Sequence, residues 1–207
     1  MRRPEFIARQ AAHPSGILGR LLFRLMAAET VAVNERTLEL LAPEPNSRVL
    51  EIGFGHGRTL VRAAQLALKG FVAGIDISAD MVTVFQSRNR RPSAQGLIEV
   101  KLANSDRIPY PDSHFDRVYA VHTLYFWNNL RLHLGEIYRV TSAGGRFVLA
   151  FTPKEDVHAV ASFPATVYRF YSVDEAKKSL SEVGFSDVEM VREPIASRDT
   201  VFAVAQR

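Results

Sequence analysis

Two carboxylates and three glycines carry the first chemistry legible in the chain. Glu51 stands two residues before Gly53, and Gly55 and Gly57 follow at two-residue spacing with Phe54 between. Glycines so placed let the backbone take positive φ and let a ligand approach without meeting a Cβ. A G-x-G-x-x-G turn would hold a dinucleotide pyrophosphate on a helix dipole. Here the pattern is G-x-G-x-G, and the acid beside it would repel a pyrophosphate while attracting an ammonium or another cation. The second carboxylate, Asp76, lies 19 residues beyond Gly57 at the tip of an apolar run. There it can accept both hydrogen bonds of a ribose diol, which marks a nucleoside without choosing among nucleosides. A nicotinamide oxidoreductase is opposed by Glu51 and by the glycine spacing.

The elements that must position these groups alternate between strand and helix. Residues 48–58, RVLEIGFGHGR, read as a buried strand (Val49, Leu50, Ile52), a glycine turn and the start of a helix over Arg58 to Leu68. FVAGIDI, 71–77, is a second strand, and Ser78 caps a helix over Ala79 to Arg88. Met81 in that helix reads as core rather than as ligand wall. Leu97 to Leu102 is a third strand. Phe115 to Val121 is a fourth, running into His122, Thr123, Leu124, Tyr125 and Phe126 at the carboxyl edge, where open α/β sheets bind ligands. His122 is the best-placed titratable residue. Beyond it come a helix over Asn128 to Val140, a turn at Gly144 and Gly145, and a strand over Arg146 to Phe151. Thr152 to Tyr168, with His158, Phe163 and Tyr168, suits an acceptor-pocket wall. A helix over 172–183, stopped by Gly184, and strands 186–193 and 200–206 end the chain.

Ahead of the first strand, Pro14, Ser15 and Gly16 mark a turn. Ile17, Leu18, Leu21, Leu22, Leu25 and Met26 then form a helical stripe that would pack over the cleft, lie on a membrane surface or make a dimer contact. Thr30 to Leu41 reads as another helix, with Val31, Asn34, Leu38 and Leu41 on one face; Asn34 needs either backbone or a ligand as its partner.

The chain has 207 residues, 47% of them hydrophobic, which fits one domain with a sizeable core. With no cysteine and six dispersed histidines, disulfides and thiolate metal sites are excluded and a metal mechanism is not expected. The net charge of +4 is spread through the chain, and SRNRRPS at 87–93 lacks the aromatics of a nucleic-acid surface. No signal peptide and no run approaching ~20 apolar residues is present, so a cytoplasmic protein with no membrane insertion and no nucleic-acid partner is expected.

VLEIGFGHG followed by GIDIS resembles the first two motifs of the class I S-adenosylmethionine-dependent methyltransferases. ANSDRIPYPDSHFDRVYAVHTLYF, 103–126, is similar to the third motif of the small-molecule branch that includes the quinone-biosynthesis C-methyltransferases, and YSVDEAKKSLSEVGFSDVEM, 171–190, resembles that branch's closing helix and strand. The likeness covers residues 46–207. It implies a Rossmann-like, doubly wound, seven-stranded sheet, mostly parallel, with the last strand antiparallel between strands five and six. Residues 1–45 would form a helical arm or cap.

The resemblance also implies S-adenosylmethionine as cofactor and a small-molecule acceptor, methylated at carbon or oxygen by a monomer or homodimer. A domain that binds the cofactor or a partner without chemistry is the alternative. Ile77 would pack on the adenine ring. Asn104 and Ser105 stand where the family usually has Asp and Ala; Asn104 keeps an acceptor oxygen for the adenine amino group and Ser105 keeps its backbone N–H. Cofactor-binding residues are then Glu51, Gly53, Phe54, Gly55, Gly57, Asp76, Ile77, Asn104, Ser105 and His122. Phe54, Tyr125, Phe126 or Trp127 would face the cationic sulfur. Displacement at a sulfonium methyl needs a base only if the acceptor must lose a proton, and His122 and Tyr125 are the candidates.

Overall fold

A computed structural model describes residues 3–16, 30–89, 97–196 and 198–207. The expected helical stripe at 17–28 and residues 90–93 of the basic loop lie outside these.

The apolar runs form strands where alternation and branching favour them. β1 (Arg48–Ile52) pairs in parallel with β2 (Phe71–Asp76) on one side and β4 (Phe115–Val121) on the other. β3 (Ile98–Leu102) extends the β2 edge in parallel, and β5 (Thr141–Phe151) extends the β4 edge. β6 (Ser186–Ile195) and β7 (Arg198–Gln206) form an antiparallel hairpin whose second strand inserts beside β5. The order β3-β2-β1-β4-β5-β7-β6 is the seven-stranded arrangement expected from the resemblance.

Helices cover both faces, so each central strand is buried on both sides. On one face α2 (Val31–Leu41), α3 (Arg58–Leu66) and α4 (Ala79–Arg88) pack Leu38, Leu41, Leu60, Met81 and Phe85 against Val49, Val72, Tyr119 and Val148. On the other, α5 (Leu130–Val140) and α7 (Val173–Glu182) pack Leu134, Ile137 and Leu180 against Leu50, Val118, Phe147 and Ala203. Two short helices remain: α1 (Glu5–Ala12) and α6 (Val157–Ser162). Met81 is core, as expected.

Local caps fix the helix starts. The Ser78 hydroxyl accepts from the Met81 N–H, and Ser172 and Glu175 form a reciprocal capping box at α7. The helix expected from Asn128 begins instead at Leu130, because Asn129 turns its side chain to accept from the Leu132 N–H. The glycine pair at 144 and 145 is not a turn ahead of a strand. β5 already begins at Thr141, and the glycines lie within an irregular stretch where the register jumps from Phe115 opposite Thr141 to Arg117 opposite Arg146.

The buried face of α2 also differs from expectation. Val33, Thr37, Leu38 and Leu41 are buried while Val31 is 45% exposed. Packing on β4 and β5 rotates the helix, and Thr37 tolerates burial because its hydroxyl donates to the Val33 carbonyl at 2.8 Å.

Gly57, at the N-cap of α3, has φ +72, and a Cβ there would lie 2.1 Å from the Phe85 ring; Gly144 has φ +73 and open space around it. Both positions carry the cost of a left-handed L-residue, about 1–2 kcal/mol, but only Gly57 adds overpacking of about 1–3 kcal/mol. Urea unfolding of Gly57→Ala and Gly144→Ala should therefore show the larger loss at Gly57 by about that second amount; equal losses would mean that the Phe85 contact is unimportant.

Candidate functional site

A cavity of about 870 Å³ opens along the carboxyl ends of β1, β2, β4 and β5, within the usual range for small-ligand sites. Glu51, Gly53, Phe54, Gly55, Asp76, Ile77, Asn104, Ser105 and His122 all border it. Gly57 does not: it lies behind the loop, where its missing side chain makes room for Phe85. Phe54 borders the cavity, but its ring packs edge-on to Phe85 at 5.5 Å and against Gly74, so it belongs to the core rather than to a face for a sulfonium.

The glycine loop is held by Asp76. One carboxylate oxygen accepts the Gly55 N–H at 2.9 Å and the other accepts the Ser78 N–H at 2.8 Å, so one side chain ties the loop after β1 to the cap of α4. Carboxylate oxygens offer about four lone-pair sites, which leaves room for a further diol. Burial raises the Asp76 pKa and these two N–H groups oppose the rise. Gly53 is also obligatory, since at φ +75 a Cβ would meet the Thr123 methyl at 2.5 Å.

Glu51 is buried beside Tyr119, and one of its oxygens has no hydrogen-bond partner; the Tyr119 hydroxyl and the Thr123 hydroxyl are also unpartnered. Burial holds the Glu51 carboxyl well above the usual carboxylate range, and Asp76 pushes the same way. A cation entering the cavity would reverse that cost.

The loop after β3 carries Asn104 and Ser105, and α5 holds it. Asn104 donates its amide to Asp106 at 2.9 Å, which leaves its carbonyl oxygen to accept. The Ser105 hydroxyl lies 2.7 Å from His133 Nδ1, and His133 Nε2 lies 3.3 Å from the Asn128 side-chain oxygen. Because that amide oxygen only accepts, Nε2 carries the proton and Nδ1 accepts from Ser105. Farther along, Glu136 accepts the Ile108 N–H, and Arg139 donates to the Ile108 and Tyr110 carbonyls. Trp127 stacks on His133 with ring centres 5.1 Å apart. His133 had no local sequence signal: it reaches Ser105 across 28 residues.

His122 follows β4 with φ +55, an uncommon conformation for a non-glycine residue. Its Nδ1 lies 3.0 Å from the Tyr125 hydroxyl, whose oxygen accepts the Thr152 N–H at 2.6 Å. The Tyr125 hydroxyl thus links the imidazole to the backbone just past β5. Burial, aided by the charge of Arg198, pushes the His122 pKa down to about 4, and burial raises that of Tyr125. The low His122 pKa makes the imidazole a weak base and the raised Tyr125 pKa keeps the phenol protonated, which counts against both as general bases near neutral pH. Phe163 and Tyr168 border the cavity as expected, joined by Phe170; His158 is exposed on α6, away from it. Asn34 borders the cavity with its amide 3.4 Å from the Thr30 hydroxyl.

The raised Glu51 carboxyl has a definite sign in linkage. A carboxyl that binds its proton more tightly when folded makes stability fall as pH rises from the ordinary carboxylate range through the raised pKa. Asp76 acts in the same direction and His122 in the opposite one, so the isolating comparison is Glu51→Gln. Urea unfolding from about pH 5 to about pH 8 should give the variant a less negative slope of stability against pH; parallel slopes would show that Glu51 is not held protonated.

Comparison with known proteins bears on what this site belongs to. Residues 50–149 match the family described as "Methyltransferase domain". YrhH of Bacillus subtilis, named as a methyltransferase, is 31% identical over 121 residues, covering 58% of this chain and 66% of the relative. Demethylmenaquinone methyltransferase of Symbiobacterium thermophilum is 37% identical over 105 residues, 50% of this chain and 42% of the relative. The chain thus spans from about two fifths to about two thirds of the length of these relatives. Geranyl diphosphate C-methyltransferase of Streptomyces coelicolor shares the fold with a TM-score of 0.73 at 15% identity, over 94% of this chain and 85% of that one. A SAM-dependent methyltransferase of Aquifex aeolicus does so with a TM-score of 0.66 at 23% identity, over 83% and 88%. With the domain match over residues 50–149, the shared fold and a glycine loop tied by Asp76 beside the buried Glu51, the chain carries a methyltransferase domain of the class I S-adenosylmethionine-dependent kind.

Proposed function

We propose that the protein transfers the methyl group of S-adenosylmethionine to a small-molecule acceptor, at carbon or oxygen. The observation that carries this reading is the Glu51–glycine loop–Asp76 cradle opening into the same cavity as an aromatic wall. The cavity has room for a cofactor and a second small molecule side by side. The Streptomyces coelicolor relative of this fold holds S-adenosyl-L-homocysteine together with geranyl diphosphate, which supports a two-ligand cleft.

The residues present fit the cofactor. Asp76 accepts from the ribose diol, Ile77 packs on the adenine, and the Asn104 carbonyl oxygen and the Ser105 backbone N–H address its edge. The unpartnered Glu51 oxygen suits the amino-acid ammonium. Gly53 and Gly55 let backbone approach the ligand. When bound, the cofactor supplies an electrophilic methyl on a sulfonium, and the protein supplies alignment and a dry pocket.

The cap expected over 1–45 is cut short by α2, which packs on the sheet as part of the core of the domain 46–207, and the cap falls to the described residues ahead of it. Of these, 3–16 are stitched over the cavity by Arg3 N–H to the Ser162 carbonyl, Ser78 hydroxyl to the Pro14 carbonyl, and Gly16 N–H to Asp80. No helix among the described residues is long and apolar enough to cross a membrane. A cytoplasmic monomer or homodimer, with neither nucleic-acid nor membrane partner, completes the reading.

Thermal unfolding with S-adenosylmethionine, S-adenosylhomocysteine and NAD tests it. At about 100 times the dissociation constant a ligand adds about 2.7 kcal/mol, about 5–11 °C for a chain of this size. A rise is expected with the first two only, and Asp76→Ala should abolish it; a rise with NAD alone would overturn the reading.

The neutral His133 relay makes Ser105 an acceptor at the cavity wall. His133→Phe, which keeps the stack under Trp127, should weaken S-adenosylhomocysteine binding by roughly three- to tenfold, about the net worth of one hydrogen bond. Titration calorimetry checks this, and unchanged affinity would mean that the relay does not order the loop.

A further inference from the structure

The cavity is polarised along its length. At the glycine-loop end the buried charged groups are the carboxylates Glu51 and Asp76. At the other end Tyr125, Phe126, Phe163, Tyr168 and Phe170 form one connected set of rings. The centres lie 6.1 Å apart for Tyr125–Phe126, 4.9 Å for Tyr125–Phe170 and Phe126–Tyr168, and 4.6 Å for Phe163–Tyr168. Two arginines flank this set and also border the cavity. The guanidinium carbons of Arg3 and Arg198 lie 4.9 and 5.9 Å from the centre of the Phe163 ring. Their charge is felt across the wall, that of Arg198 at His122, Tyr125 and Tyr168 and that of Arg3 at Tyr168.

His122 Nδ1 is engaged by the Tyr125 hydroxyl, which also accepts the Thr152 N–H, and burial with the charge of Arg198 keeps the imidazole neutral and weakly basic. Tyr125 stacks on His122 and the charge of Arg198 acts on it. Rings, guanidinium groups and an imidazole N–H together suit a flat molecule that arrives already negative.

We propose, resting on the methyltransferase reading, that the acceptor is a planar aromatic oxyanion, a ring carboxylate or an acidic phenolate, bound on this wall and methylated on oxygen without proton abstraction by the protein. The oxyanion's lone pair forms the new O–CH₃ bond as the S–CH₃ bond breaks. The bonding pair stays on sulfur, giving a neutral thioether and a neutral methyl ester or ether, and no proton moves. Acidity of the acceptor takes the place of a general base.

Two measurements on the full chain, saturated with S-adenosylhomocysteine for binding and with S-adenosylmethionine for turnover, test this. Titration calorimetry with 2-naphthoate against 2-naphthamide should show the anion binding roughly tenfold tighter, and Arg3→Gln and Arg198→Gln should each shrink that preference. Equal or tighter binding of the amide, or binding of neither, overturns the proposal. Cofactor affinity separates that failure from failure of the reading beneath it, since an intact thermal shift with S-adenosylhomocysteine leaves the cofactor assignment standing and a missing one removes both. For turnover, release of S-adenosylhomocysteine is followed with 4-nitrophenol and with the more acidic 2,4-dinitrophenol. The acid limb of kcat/KM against pH should move with the phenol's own pKa. A limb fixed at one pH for both phenols, or absence of turnover with both, overturns the proposal.

Discussion

The Asp76 carboxylate is the hinge of the site. It terminates β2, yet its two oxygens bond the backbone of two other segments, the glycine loop after β1 and the cap of α4. Parallel strands cannot be joined by tight turns, so the loops at their carboxyl ends come from distant parts of the chain and need a shared anchor. Ser78 extends that anchor, capping α4 with one lone pair and donating to the Pro14 carbonyl. The described N-terminal segment, β1's loop and α4 are thereby fixed relative to one carboxylate. Removing it would release both the glycine loop and the cap of α4.

A second, independent anchor acts from the opposite face. α5 reaches the loop after β3 through His133 at Ser105, Glu136 at Ile108, and Arg139 at Ile108, Tyr110 and Asp112. Most of these contacts are charge-assisted or part-buried, the class of hydrogen bond that stabilises most. The Arg139–Glu136 pair is three residues apart on α5, so the helix itself aligns the fork before it meets the loop. The loop after β3 is therefore held for reasons outside the strands that carry it, and Asn104, which stands where the family usually has an acid, falls on a loop already fixed in place.

Within the cavity, hydrogen-bond partners follow from topology. Tyr125 lies in the 3₁₀ turn after His122, and its hydroxyl meets the first residue beyond β5. That contact fixes the hydroxyl that engages His122 Nδ1. Histidine and tyrosine at a carboxyl edge read as acid–base machinery in a linear sequence. Folded, they are a buried, hydrogen-bonded pair, and the Tyr125 hydroxyl is held by a backbone N–H just past the neighbouring strand β5.

The linear order of residues was enough to place all seven strands, the glycine loop and the two carboxylates, because these depend on local periodicity, glycine conformational freedom and caps such as Ser78 and Ser172. It was also enough to bring nine of the ten expected cofactor residues to one cavity, since strand ends in a parallel sheet share an edge. It misread Gly57 and the Phe54 ring, because both are decided by Phe85 on a different helix. The face of α2 depended on the sheet beneath it, the Ser105–His133–Asn128 relay on a contact across 28 residues, and the arginine-flanked aromatic wall on the meeting of Arg3, Phe163 and Arg198. Local chemistry is set by neighbours in sequence. Burial, proton position and the sign of a cavity wall are set by neighbours in space, and only the tertiary structure brings those together.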